Sequence, residues 1–286
     1  MTARPPISVV IPAYNAAPTL NATLNALAAQ SEGLDFELLI ADNGSTDETR
    51  AVAEQWADRL PVRVIDASAR RGQAAAMNTA ALEARGDLIV FTDADDIPLP
   101  GWLEAWCGLD CSIAHASGPV VWFGYDEPPP SSGAGAPARL PEHMGYMTYA
   151  LGTNFAIRRE WLKNTGGFDE GLPPAQDIDL SWRLQLEGVE LVFIPRAVLA
   201  KRERRGVRDV IRQYYHYGVC DPVLYRRYRD RGVPKPKIAA TIKTYGGLLV
   251  RLPLLFDRRQ RVRWARQVGR RAGRAIGSIR ARVLYL

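Results

Sequence analysis

Asp93 and Asp95 stand two residues apart just beyond an apolar run, in the stretch Thr92-Asp93-Ala94-Asp95-Asp96. In an extended chain that spacing aims both carboxylates to one side. Two or three such oxygens suit Mg2+ or Mn2+, which completes its shell with water and substrate phosphates. Alone, the pair is weak evidence, because the same residues make an Asp-rich turn that caps a helix near Trp102. A second acidic segment in an equivalent place favours chemistry: Asp42-Asn43-Gly44-Ser45-Thr46-Asp47 also follows an apolar run. Asp42 offers oxygens to a nucleobase N–H or to ribose hydroxyls, although Asp-Asn-Gly-Ser is also good turn chemistry. Pro12-Ala13-Tyr14-Asn15 follows a third run. Neither G-x-G-x-x-G nor G-x-x-x-x-G-K-[ST] accompanies it, so dinucleotide and P-loop readings are weak.

These segments meet only if the runs before them are neighbouring strands. Residues 7–12, 36–41, 62–65 and 88–92 read as short buried strands, with helices over 17–30, from Ser45/Thr46 onward, and over 73–84 up to Gly86. Short strands alternating with helices predict βαβ units and a mostly parallel α/β sheet, whose ligands bind outside the carboxyl ends of the strands. Beyond them come a strand at 120–123, a Pro-rich loop over 127–141, a helix at 176–187 and a strand at 190–194. From about residue 200 the pattern is helical and rich in arginine.

The 286 residues are 47% hydrophobic and 24% charged, a globular mix that excludes collagen, low-complexity disorder and a disulfide scaffold. Cys107, Cys111 and Cys220 lack zinc-ligand spacing; the first two read as small core residues on one helix face, in keeping with a reducing compartment. His115, His143 and His216 show no metal or triad spacing. The uncharged stretch 5–31 is broken by Pro12 and Pro18 and by Asn15, Asn21 and Asn25, and 238–256 by Lys243, Arg251 and Pro253. Neither reads as a signal peptide or a membrane span, so the expected location is cytoplasmic, at the inner face of the cell membrane.

Six segments, ISVVIPAYN (7–15), ADNGSTDET (41–49), RGQAAAMNTA (71–80), FTDADDIP (91–98), GGFDE (166–170) and QDIDLSWRLQLEG (176–188), occur in the order of family 2 glycosyltransferases. The chain resembles that family over roughly residues 5–200. The resemblance implies a GT-A fold, a nucleoside-diphosphate-sugar donor and an inverting transfer. It implies that Pro12, Tyr14, Asp42, Arg71 and Asp93 bind the nucleotide and that Asp93 and Asp95 hold a divalent metal. Where the family has Glu-Asp this chain has Gln176-Asp177, which leaves Asp177 as the candidate general base. Gly152, Thr153 and Asn154 resemble the family's stretch beside the acceptor and read equally as a plain turn. Trp182 reads either as a platform for a sugar or as core. Asp179 and Arg183, four apart, read as an ion pair along the helix.

Charge divides the chain. Residues 197–286 hold 24 of the 37 basic residues and five of the 31 acidic ones, so this segment is +19 and the remainder −13. Trp264, Val268, Ala272, Ala275/Ile276, Ile279 and Val283 recur at helical spacing among arginines, as in a basic amphipathic helix at an anionic membrane surface. The alternative is that this stripe packs on the rest of the chain. Aromatics interleaved with arginine also suit RNA, but no recognition motif accompanies them and nucleic acid is not the expected partner. The expected organisation is a catalytic domain at 1–200, with nucleotide-binding (1–98) and acceptor (99–200) halves, and an Arg-rich helical extension at 201–286. The expected activity is sugar transfer to a cell-envelope glycan or lipid-linked acceptor. A nucleotidyltransferase, which would carry a Gly-rich basic loop after the first strand, and a non-catalytic membrane or RNA adaptor, hinted at only by Gln176, are the alternatives.

Overall fold

A computed structural model describes residues 7–172, 174–235, 246–247 and 257–286. Most of the interrupted apolar run at 238–256 lies outside the described residues. The chain begins with β1 (Ile7–Ala13), α1 (Ala17–Ala28), β2 (Phe36–Asp42), α2 (Thr49–Glu54), β3 (Val62–Asp66), α3 (Gln73–Glu83) and β4 (Leu88–Thr92). The four strands are parallel neighbours, and Ala13 pairs with Asp42 and Asp42 with Asp66, so their ends are level.

Alternate residues of these strands feed two cores, the reason the runs are continuously apolar. Val9, Ile11, Leu38, Ile40 and Val90 pack with Leu20, Leu24 and Leu27 of α1 and with Trp102 and Trp106 of α4 (Trp102–Cys107). Val10, Leu39, Ala41, Ile89 and Phe91 pack with Ala76, Met77 and Ala80 of α3.

The connection after β4 runs through β5 (Ile97–Pro98) and α4 to β6 (His115–Ser117) and β7 (Val120–Phe123). A short hairpin, β8 (Glu142–His143) and β9 (Met147–Thr148), precedes β10 (Asn154–Arg158), α5 (Arg159–Asn164), α6 (Gln176–Leu186), β11 (Leu191–Phe193) and β12 (Leu199–Arg202). Strand β10 lies antiparallel between β4 and β6, giving a seven-stranded sheet in the order β11-β6-β10-β4-β1-β2-β3. Strands β5, β12 and β7 form a second small sheet.

Two expectations are corrected here. Residues 199–202 are a strand, because Leu199 and Ala200 are buried and the backbone pairs with β7 and β5. Cys107 closes α4 half-buried and Cys111 is exposed beyond it, so they share no helix face.

The basic region supplies α7 (Val207–Tyr228) and α8 (Arg258–Ala281). Cys220, Leu224 and Tyr228 of α7 join a core with Ala175, Ile178 and Trp182, so α7 packs on α6. Helix α8 packs along α7 through small residues: Ala265, Gly269, Gly273, Gly277 and Ala281 are buried. A side chain on Gly273 would collide with the Tyr215 carbonyl. The apolar stripe is therefore not the main seam. Ile276 is 37% and Ile279 74% exposed, because helices this close admit little beyond glycine and alanine between them.

Candidate active site

A cavity of about 640 Å³ opens at the carboxyl ends of the central strands. Pro12, Tyr14, Asn43, Arg71, Asp93 and Asp95 line it, together with Arg202 and Arg204. Asn15 turns the chain out of β1 at φ 49°, a conformation asparagine tolerates, and its Oδ1 accepts the Thr46 N–H at 2.8 Å. Asn43 donates to the carbonyls of Ala67 (2.6 Å) and Arg70 (2.8 Å) and accepts the Gly72 N–H at 2.8 Å. That clamp fixes the loop carrying Arg71. The Arg71 guanidinium lies 5.7 Å from the Tyr14 ring centroid and donates to the Tyr14 hydroxyl at 3.3 Å. Asp42, at the end of β2, accepts the Ser45 N–H at 3.0 Å and lies beside the lining residue Asn43 rather than in the lining itself.

Residues 93–96 form a turn, with the Asp96 N–H directed at the Asp93 carbonyl (3.4 Å), and not the extended segment expected. The turn still gathers carboxylate oxygens of Asp93, Asp95 and Asp96 within 4.8 Å of one another. Each acid has a partner. Lys201 of β12 places Nζ 2.9 Å from Asp93 Oδ2 and 2.8 Å from Asp96 Oδ2. Arg204 donates to Asp95 Oδ2 at 3.1 Å, and Gln73 to Asp93 Oδ1 at 2.8 Å. Burial acts against the charge on Lys201, but Asp93, Asp96 and Asp95 outweigh it and hold the ammonium protonated well above the usual lysine range.

A second cavity, about 510 Å³, adjoins the first and shares Asp93 and Gln73 with it. Gly152, Thr153, Gln176, Asp177 and Lys201 line it, and Tyr214, Tyr217 and Arg270 close it from α7 and α8. Asp177 sits in the first turn of α6. Its Oδ2 accepts the Gly152 N–H at 2.8 Å and its Oδ1 the Ile178 N–H at 2.8 Å. Burial lifts its carboxyl to about 6 against those bonds, and the charge of Asp93 adds to the rise. Gln176 donates to Gln73 Oε1 at 3.4 Å, while its buried Oε1 has no hydrogen-bond partner among the described residues.

The remaining expected residues divide. Gly152 and Thr153 face the second cavity, and the Thr153 hydroxyl donates to Asp96. Asn154 is fully buried and ties the fold together, accepting from Trp102 Nε1 (2.8 Å) and donating to the Pro119 and Ala197 carbonyls. Trp182 is also fully buried, against His143, Tyr146 and Tyr228, so no ring face is left for a sugar. Asp179 pairs with Arg183 at 2.8 Å as expected. His115 is buried with both ring nitrogens satisfied, by the Ala156 carbonyl and Ser181.

Lys201 and Arg204 were not anticipated, because the segment reads as the start of an arginine-rich helix. The available signal was Leu199-Ala200, a short apolar pair placing the next basic residues at a strand end.

The Asp93, Asp95 and Asp96 carboxylates lie close enough together to hold a divalent cation, in competition with the basic groups already paired to them. Mg2+ asks for near-octahedral oxygens at about 2.0–2.1 Å, and Mn2+ likewise favours oxygen ligands. Here both oxygens of Asp93 are engaged, and an ammonium stands between two of the three acids.

Residues 8–108 match the model of Glycosyl transferase family 2. The chain is 27% identical over 240 residues to a pre-mycofactocin glycosyltransferase of Mycobacterium tuberculosis, covering 80% of this chain and 49% of that one. It is 31% identical over 227 residues to a validoxylamine A glucosyltransferase of Streptomyces hygroscopicus, covering 65% and 53%. It thus spans about half the length of these curated relatives. Among solved structures, a mannosyltransferase from Pyrobaculum calidifontis in complex with GDP-Man and Mn2+ superposes with a TM-score of 0.66 at 20% identity, over 96% of this chain and 88% of that one. The resemblance to family 2 holds, and the fold is that of the GT-A-type glycosyltransferases.

Proposed function

We propose that this chain is an inverting glycosyltransferase that moves a sugar from a nucleoside-diphosphate-sugar to an acceptor hydroxyl. One observation carries the reading: Asp93 lines both cavities, and Asp177 faces it in the second. The nucleoside occupies the first cavity, its base against the half-exposed ring of Tyr14 and near Arg71, with Asp42 behind the base or ribose. The sugar enters the second cavity. The acceptor hydroxyl approaches beside Gly152 and Thr153.

In the transfer the acceptor oxygen bonds to the anomeric carbon as the bond from that carbon to the phosphate oxygen breaks. The electron pair leaves with the diphosphate, and the acceptor proton passes to Asp177. A carboxylate lifted to about 6 is ionised at neutral pH yet basic enough to take that proton. The Gly152 and Ile178 N–H groups hold one oxygen each and so fix the carboxylate beside the acceptor.

The exposed apolar residues of α8 and of the segment after it, Ile276, Ile279 and Leu284, stand among arginines. No helix among the described residues is long and apolar enough to cross a membrane. These features support a surface-bound enzyme whose acceptor is a lipid-linked precursor or glycan at an anionic membrane.

The reading is tested by calorimetry with nucleoside diphosphates, followed by NMR of the transfer product from the donor that binds. Binding of a nucleoside diphosphate and a product of inverted anomeric configuration are expected. A retained configuration would remove Asp177 from the role of base.

A further inference from the structure

We infer that Lys201, held between Asp93 and Asp96, takes the place of a divalent cation, and that with Arg204 it receives the donor's diphosphate, so that donor binding requires no metal ion. This rests on the reading of the two cavities as a nucleotide-sugar site.

The position of the two cations carries the inference. Asp93 belongs to both cavities, Lys201 lines the second and Arg204 the first. They therefore flank the passage between nucleoside and sugar, where a diphosphate must lie. Both oxygens of Asp93 and one oxygen each of Asp95 and Asp96 are also paired with side chains. Asp93 gives Oδ2 to Lys201 and Oδ1 to Gln73, Asp96 gives Oδ2 to Lys201 and Thr153, and Asp95 gives Oδ2 to Arg204. A divalent cation entering this turn would meet a fixed positive charge beside Asp93 and Asp96.

Lys201 is not a mobile surface group. Its side chain is 12% exposed, and its backbone is pinned in β12, where it pairs with Trp122 of β7. Preorganised charge of this kind is well suited to the leaving group, because the diphosphate gains negative charge as the glycosidic bond breaks. Arg71 and Arg202 extend the positive wall of the first cavity. Glu203, the one other acid in that lining, is engaged by Arg266 at 3.0 Å.

The test is calorimetry of the full chain with UDP, GDP, ADP, CDP and dTDP, in EDTA and in Mn2+. The expected result is the same affinity in both buffers. Lys201→Met is expected to weaken binding in EDTA roughly tenfold or more, the effect of losing a charge-assisted contact. Lys201→His replaces the ammonium with an imidazole that can ligate a metal, and is expected to bind nucleotide only when Mn2+ is added. Thermal melting accompanies each variant, and the wild-type comparison stands even if a variant fails to fold. Wild-type binding in Mn2+ alone, or unchanged affinity in a folded Lys201→Met protein, would overturn the inference and leave the glycosyltransferase reading intact. No binding of UDP, GDP, ADP, CDP or dTDP in either buffer would overturn both.

Discussion

The backbone N–H of Gly152 donates to Asp177 Oδ2 at 2.8 Å, and a β-carbon at Gly152 would stand 2.7 Å from that same oxygen. Asp177, the proposed base, and the loop at Gly152 are thus in direct contact, with no room for a side chain between them. Gly152→Ala is expected to push the carboxylate aside. Turnover should fall about 10²-fold, the cost typical of a roughly 1 Å misplacement, while nucleotide affinity stays unchanged. Steady-state kinetics beside calorimetry checks this split; a parallel loss of nucleotide binding would show a wider collapse of the site.

The pH dependence follows from the environment of Asp177. Burial lifts its carboxyl to about 6, and a carboxylate in the proposed role of base works only when ionised. The rate should therefore climb through about pH 6 and flatten above it, falling roughly tenfold per unit below. A pH–rate profile with saturating donor tests this. An acidic limb centred near 4 would assign the base elsewhere.

Much of this arrangement was legible in the sequence. Continuously apolar runs at 7–12, 36–41 and 88–92 dictated strands buried on both faces, and parallel order then brought Pro12, Asp42 and Asp93 to one edge, where Asn43 rather than Asp42 lines the cavity. The partners of the acids were not legible. Lys201 reaches Asp93 from 108 residues away in the chain, on a strand only four residues long, within a stretch whose composition reads as helix. Periodicity misled in the tail for a related reason. Counting large apolar residues finds a stripe, whereas the helices meet through Gly269, Gly273 and Gly277, which carry no hydrophobic signal.

Asp221 of α7 ties the basic region to the rest of the chain. It accepts from His143 Nε2 (3.0 Å), Arg270 Nε (2.9 Å) and Arg274 Nε (2.7 Å). Burial opposes its charge, but His143, Arg270 and Arg274 prevail and hold its carboxyl well below the usual range. A depressed carboxylate stabilises the fold above its unfolded pKa and loses that stabilisation as the pH falls toward its folded one. Asp221→Asn should cost about 3–5 kcal/mol at neutral pH, as for removal of one partner from a buried ion pair. Chemical denaturation measures it, and the deficit should shrink as the pH drops below about 4. A deficit independent of pH would contradict the ionic origin.

The exposed face of α8 gives a separable prediction. Ile279 is 74% and Leu284, just after the helix, 64% exposed, so replacing both with Ser should leave the thermal melting temperature nearly unchanged. Binding to anionic liposomes should weaken several-fold through lost apolar insertion, and added salt should weaken it further by screening the arginines. Co-sedimentation reads both effects. Equal binding by the double variant and the wild type at all salt concentrations would reject insertion.

The most direct test of the transferase reading is single-turnover transfer by Asp177→Asn. Asparagine keeps the shape of the side chain at the start of α6 but removes the charge that accepts the acceptor's proton. The expected result is a donor affinity equal to wild type with transfer slowed by about 10²–10⁴-fold. Near-normal transfer by the folded variant would contradict Asp177 as the base and the geometry proposed around it.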